Sequence, residues 1–220
     1  MIHKSVQNLI NIENRIKSNL SDLNNTNLPN IIAVSKTFKI DNILPLIEHG
    51  HIDFGENKIQ EAVDKWTKIK EKKSNIKLHM IGKLQTNKVK LAVRLFDFIH
   101  SVDNEKLAKK IADEQFKIKR NIKIFIQVNI GNEIQKTGTS QSATSNLVLF
   151  CKELGLDVIG LMCIPPANID PNKHFREMNE INKSFKFNDL SMGMSSDYIN
   201  AVRNNSTYLR IGSSIFGQRS

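Results

Sequence analysis

One rhythm constrains this chain more than any other feature. Short apolar runs alternate eight times with stretches of helical period, at residues 31–36, 51–57, 78–82, 98–102, 122–128, 158–162, 189–194 and 208–211. Runs of this length, rich in β-branched residues and bounded by turn formers, read as buried strands. Between them, apolar residues recur at helical spacing, as in Ile59, Val63, Trp66 and Ile69, or Leu107, Ile111 and Phe116, or Phe175, Met178, Ile181 and Phe185. Asp41 and Asp103 sit where helix N-caps are expected, and Gly50 where a helix ends. A further amphipathic stretch at 2–20 precedes the first strand, and the turn-rich segment 21–30 connects the two. Eight such units predict an α/β fold, a (β/α)₈ TIM barrel with an extra N-terminal helix, as a single domain over residues 1–220. An open doubly wound sheet is the alternative, but no GxGxxG opens the first strand-to-helix turn.

Composition enters where it excludes partners. No run approaches the roughly 18 apolar residues needed to span a bilayer, so no membrane association is expected. The start Met1-Ile2-His3-Lys4-Ser5 does not read as a signal peptide, and Cys151 and Cys163 lack metal spacing, so a reduced, cytoplasmic setting without a bound metal is expected. The net charge of +10 raises the question of nucleic acid. The lysines are nevertheless scattered on helical stretches, and no aromatic residues are interleaved with them as a base-stacking surface requires. No nucleic-acid partner is expected.

In a parallel barrel the working groups stand at the C-terminal ends of the strands. Here those ends carry Lys36, Glu56 with Asn57, Gly82 with Gln85 and Asn87, Ser101 with Asp103, Asn129, Ser191 with Ser195, and Arg210 with Gly212 and Ser213. Asp103 reads more simply as a cap, and Asn129 as a loop-closing residue. A lysine at the edge of a core has its charged form disfavoured, which is how a Schiff-base nucleophile is made; a plain surface lysine is the simpler reading of the first strand alone. The loops Ser191-Met192-Gly193-Met194-Ser195 and Ile211-Gly212-Ser213-Ser214 follow strands seven and eight, where barrels frequently cradle phosphate with backbone N–H groups. Strands eight and one are neighbours in a closed sheet, which brings Arg210 beside Lys36. The set fits a phosphorylated carbonyl compound held as a Schiff base. Pyridoxal 5′-phosphate is one such compound, and the sugar-phosphate substrate of a Schiff-base aldolase is another.

Ala33-Val34-Ser35-Lys36, Phe54-Gly55-Glu56-Asn57, His79-Met80-Ile81-Gly82-Lys83-Leu84-Gln85-Thr86-Asn87-Lys88 and Gln127-Val128-Asn129 stand in order along the chain. Gly160-Leu161-Met162, Leu190-Ser191-Met192-Gly193-Met194-Ser195 and Arg210-Ile211-Gly212-Ser213-Ser214-Ile215-Phe216-Gly217 follow. Together they resemble the pyridoxal 5′-phosphate homeostasis protein family, whose barrel is that of the alanine-racemase N-terminal domain, fold type III. The resemblance implies that Lys36 forms the Schiff base and Arg210 faces the pyridine nitrogen. It also implies that Ser191, Ser195, Gly212 and Ser213 hold the phosphate, that Asn57 lies near the ring, and that Met192 is among the cofactor-binding residues. Asn205 stands where the family commonly has glycine, and asparagine tolerates the left-handed conformation such a turn needs.

The family is described as maintaining the supply of the cofactor, so the chain is expected to be a carrier or regulator and not an enzyme. Apo forms of enzymes that use the cofactor are its expected recipients, and a monomer its expected state. The alternative is a racemase or related fold type III enzyme. A two-base racemase needs a second base from another domain, for which the sequence leaves no residues, and only Tyr198 and Tyr208 are available as tyrosines.

Overall fold

The computed structural model describes residues 2–21, 27–133, 135–167 and 169–218; part of the expected connector, 22–26, lies outside them. Strands β1 (Asn30–Val34), β2 (Asp53–Glu56), β3 (Lys77–Met80), β4 (Phe98–Val102), β5 (Lys123–Val128), β6 (Asp157–Cys163), β7 (Asp189–Met194) and β8 (Tyr208–Ile211) close into a barrel in chain order. Every neighbouring pair is parallel, and the seam sets Ile32 beside Arg210 and Ala33 beside Ile211. Between successive strands run α2 (Ile40–Glu48), α3 (Ile59–Lys72), α4 (Val89–Leu95), α5 (Glu105–Lys117), α6 (Gln141–Glu153), α7 (Asn172–Ser184) and α8 (Tyr198–Arg203). The extra helix α1 (Lys4–Ser21) precedes β1, and a short α9 (Ser213–Phe216), absent from the sequence reading, follows β8. The predicted barrel with an added N-terminal helix is the fold observed. No helix among the described residues is long and apolar enough to cross a membrane.

Two apolar layers hold it. The larger lies between sheet and helices and takes in the buried stripe of each helix, such as Ile59, Ala62 and Trp66 of α3. The smaller fills the barrel with Ile32, Phe98, Phe125, Met162 and Tyr208. Two histidines stack into it, His79 on Phe98 with ring centroids 4.2 Å apart and His100 on Phe125 at 4.3 Å.

Three local expectations need correction. Lys39 keeps extended backbone angles and caps α2, so Asp41 falls inside the first turn, where its charge still favours the helix N-terminus. Asn104, not Asp103, caps α5: its side chain accepts the Leu107 N–H at 2.9 Å, while Asp103 accepts from Asn104 Nδ2. Phe116 is 85% exposed. Five residues beyond Ile111 is about 140° round a helix, so Gln115 takes the inward position instead. Asn205 does hold the left-handed conformation, with φ +64°.

Burial pushes the pKa of His79 below its ordinary 6.5 against the raising effect of the Asp53 carboxylate, and that of His100 well below it. Both rings are therefore neutral in the folded chain, whereas the unfolded chain takes up their protons from about pH 6.5 downward. The unfolded state binds more protons there, so stability is complete above that pH and is lost as the pH falls toward the lowered folded values. The slope is about 1.4 kcal/mol per pH unit for each ring that stays neutral. Urea unfolding at pH 8, 6 and 5 is expected to show a falling midpoint; a flat profile would contradict the buried neutral pair.

Candidate functional site

At the C-terminal end of the barrel a cavity of about 640 Å³ opens among the strand ends. Lys36, Asn57, Ser195, Arg210, Gly212 and Ser213 all line it, so the structure brings together six of the residues singled out in the sequence. The cavity also takes in Phe38, Lys83, Gln127 and Thr137. Gln127 lies in a motif read only for its resemblance, and Phe38 and Thr137 lie on loops that carry no local signal.

Lys36 is the second residue past β1 and is half-buried. It enters a tight turn in which Thr37 holds φ +68°, a left-handed conformation that a β-branched residue adopts only under outside restraint. The restraint is visible: the Thr37 N–H donates to Glu61 Oε1 at 2.5 Å, and Thr37 Oγ1 donates to the Lys36 carbonyl at 2.5 Å. Burial raises the Glu61 pKa, but hydrogen bonds from Lys65 and the Thr37 N–H outweigh it and leave the carboxyl below its usual range. The turn is thus held by an ionised α3 side chain.

Glu56, at the end of β2, faces away from the cavity. Its fully buried Oε1 accepts from Ser35 Oγ at 2.7 Å, from Lys65 Nζ at 2.9 Å and from Trp66 Nε1 at 2.9 Å. Lys65 also donates to the Ser35 carbonyl at 2.9 Å, next to Lys36. This knot braces the strand end that carries the lysine. Replacing Glu56 by alanine would leave the nearly buried Lys65 charge with only the partly exposed Glu61 as counter-ion among the described residues. A loss of about 3 kcal/mol is expected in urea unfolding, and a loss under about 1 kcal/mol would contradict the bracing role.

The neighbouring strand end adds Asn57, whose Oδ1 is buried without a hydrogen-bond partner among the described residues. A Cβ on Gly82 would lie 2.4 Å from the Asn57 carbonyl oxygen, so only glycine lets the chain after β3 pass so near.

Ser195 Oγ accepts the backbone N–H groups of Gly212 and Ser214, each at 3.2 Å, so these amides converge on one point. Asn8 of α1 donates to the Ile215 carbonyl at 2.9 Å, which ties the extra helix to this loop.

Arg210 is 4% exposed, and burial draws its pKa down from the ordinary arginine range. One terminal nitrogen donates to Ser191 Oγ at 2.6 Å and the other to the Cys163 carbonyl at 2.8 Å. Ser191 and Met192 stand apart from the cavity wall. Ser191 is fully buried beneath the guanidinium, and Met192 packs into the sheet–helix layer. β7 runs on to Met194, so both lie a half-turn of strand or more below its end.

Of the other strand-end residues, Asn129 closes its loop by exchanging hydrogen bonds with the Glu133 backbone, and Asn87 faces a separate surface hollow. Cys151 and Cys163 are free and buried, and burial pushes both thiols up to about 12, so neither is a nucleophile at neutral pH. Among the described residues no group of three or more His, Cys, Asp or Glu side chains could hold a metal ion.

The family profile for the alanine racemase N-terminal domain matches residues 12–220. The pyridoxal phosphate homeostasis protein of Haemophilus influenzae is 34% identical, over 96% of this chain and 94% of its own length. That of Escherichia coli K12 is 33% identical over 86% and 85% respectively. Among solved structures, PipY of Synechococcus elongatus with PLP bound is 29% identical with a TM-score of 0.80, covering 92% of this chain and 100% of that one. An alanine racemase of Clostridium difficile shares the fold at a TM-score of 0.73 and 13% identity, with 98% of this chain covering 57% of it. The strand-end lysine, the buried arginine and the converging amides therefore stand in a chain that belongs to the pyridoxal phosphate homeostasis protein family, on the alanine racemase N-terminal domain fold.

Proposed function

We propose that this chain binds pyridoxal 5′-phosphate as a Schiff base on Lys36 and carries or regulates the cofactor without turning over a substrate. The single observation that supports it most is that Lys36, Arg210 and the amides gathered on Ser195 line one cavity. At about 640 Å³ it falls within the size range of small-molecule sites. The residues fit the group. The phosphate would take the amides of Gly212 and Ser214 in place of Ser195 Oγ, together with the hydroxyls of Ser195 and Ser213, and Asn57 Oδ1, without a partner among the described residues, offers an acceptor at the wall.

Pyridoxal phosphate, when bound, supplies an aldehyde for reversible capture by amines and a ring that withdraws electrons. The chain's own residues limit the use of that ring. A guanidinium holds its protons in proteins, so Arg210 would donate a hydrogen bond to the ring nitrogen and would leave it unprotonated, the weaker electron-withdrawing state. Ser191 and the Cys163 carbonyl hold the guanidinium in place for this. Ser191 thus serves the arginine, in place of the phosphate contact read from the sequence.

Two-base racemisation also needs a base on each face of the substrate. Neither tyrosine lines the cavity: Tyr198 packs into the sheet–helix layer and Tyr208 into the barrel interior. That supports carriage over turnover, in a one-domain cytoplasmic protein whose recipients are apo-enzymes that use the cofactor. The test is titration of the purified chain with pyridoxal phosphate and with pyridoxal, followed by an amino-acid racemisation assay of the loaded protein. One equivalent of pyridoxal phosphate is expected to bind with a visible absorption band, pyridoxal to bind more weakly by at least about tenfold, and no racemisation to be seen. Racemisation at enzyme-like rates would overturn the carrier reading.

A further inference from the structure

A line of hydrogen bonds crosses the barrel beneath the cavity. Asp53 Oδ1 lies 2.9 Å from His79 Nε2, and His79 Nδ1 lies 3.0 Å from His100 Nε2. His100 Nδ1 lies 2.9 Å from Ser191 Oγ, which receives Arg210 at 2.6 Å. The five side chains come from β2, β3, β4, β7 and β8. Each of these residues is buried, and His79, His100 and Ser191 are fully so.

The two ends fix the direction of every bond. Arginine can only donate, so Ser191 Oγ accepts from it and turns its own proton toward His100 Nδ1. His100 Nδ1 is then bare, its proton is on Nε2, and Nε2 donates to a bare His79 Nδ1. His79 Nε2–H donates in turn to the Asp53 carboxylate, which only accepts. The reverse order would leave the Ser191 proton without a partner and would set a bare ring nitrogen against a carboxylate. Only one arrangement satisfies all four contacts with both rings neutral.

The direction has an electrostatic consequence. Arg210 has no carboxylate within salt-bridge distance among the described residues, and Asp197 acts on it only from beyond that distance, so a buried guanidinium needs further compensation. The Ser191 hydroxyl and both imidazoles point their negative ends toward Arg210 and their positive ends toward Asp53. Aligned dipoles of this kind strengthen one another in a low-dielectric interior.

We propose that Asp53, His79, His100 and Ser191 form a polarised chain that positions Arg210, with the Asp53 carboxylate as its accepting far end and a single tautomer, Nε2–H, at both histidines. The proposal deepens the reading of Arg210 as the partner of the cofactor's ring nitrogen and rests on that reading for its effect on binding. Its tautomers can be tested without the cofactor.

The experiment is proton–nitrogen correlation NMR of the ¹⁵N-histidine-labelled, cofactor-free protein at pH 7, with pyridoxal phosphate binding measured alongside for wild type, Ser191→Ala, Ser191→Thr and Asp53→Leu. In wild type, His79 and His100 are each expected to carry one proton, on Nε2. Ser191→Ala is expected to lose the single tautomer at His100 and to weaken binding about tenfold, with borohydride still fixing the cofactor on Lys36. Ser191→Thr, which keeps the hydroxyl, should restore both. Asp53→Leu, four hydrogen bonds from the arginine, should mix the tautomers at His79 and weaken binding to a similar degree. A proton on Nδ1 of either ring in wild type overturns the chain, and so does Ser191→Ala binding within about twofold of wild type. If wild type binds no pyridoxal phosphate, the functional reading fails and the tautomers alone decide the chain. Should Asp53→Leu not fold, wild type and the two Ser191 variants decide it.

Discussion

Lys36→Ala is expected to fold with the thermal midpoint of wild type and to lose the visible absorption that pyridoxal phosphate gives on binding. The side chain is half-buried and stands beyond the end of β1, outside the two apolar layers, so its truncation leaves both layers packed. The amides near Ser195 and the guanidinium of Arg210 remain, so residual non-covalent binding should persist, weaker on the order of a hundredfold. The variant therefore separates the covalent contribution from the phosphate and ring contacts. Lys83 provides the internal control because it lines the same cavity from its exposed rim. Lys83→Ala should keep the absorption band. Loss of the band in Lys83→Ala but not in Lys36→Ala would reassign the site.

Gly160→Ala is expected to be the most damaging small substitution in the barrel. A Cβ at this position would lie 1.8 Å from the Asp189 carbonyl oxygen and 2.6 Å from its carbonyl carbon. These are backbone atoms of β7, paired with β6 at that residue, so no side-chain rotation relieves the clash. On the opposite side, Phe125 of the barrel interior would stand 3.2 Å away. Relief requires parting two central strands of a closed sheet, which breaks ladder hydrogen bonds and loosens the interior together. A cost of about 3–5 kcal/mol is expected, and a fall in thermal midpoint of about 10 °C or more. Scanning calorimetry of the two proteins measures it; a fall under about 3 °C would mean that the β6–β7 pairing is far more pliant than the structure shows.

These two positions also mark how far the sequence could be read. Strand order and the meeting of Lys36 with Arg210 follow from an alternation whose period survives any error of one or two residues at the ends. The proposed phosphate site was less legible because it depends on where a strand stops. β7 continues to Met194, which leaves Ser191 inside the barrel and Met192 on the helix side. A strand ending three residues earlier would have brought Ser191 to the cavity.

Helix starts were displaced for a related reason. Asp41 and Asp103 have the right side chains for capping, but the extended backbone that defines a cap falls at Lys39 and Asn104. The polar line through the barrel went unread, although its signal is present. His79 and His100 each sit within an apolar strand, where a polar side chain needs a partner. Which partner it finds depends on three other strands.

Borohydride reduction of the loaded wild-type protein, followed by peptide mapping, asks most directly whether this barrel holds its cofactor on the strand-one lysine. The expected result is one pyridoxyl group per chain, on the peptide that contains Lys36. A stoichiometric label on Lys83 or any other lysine, or no label at all, would contradict it.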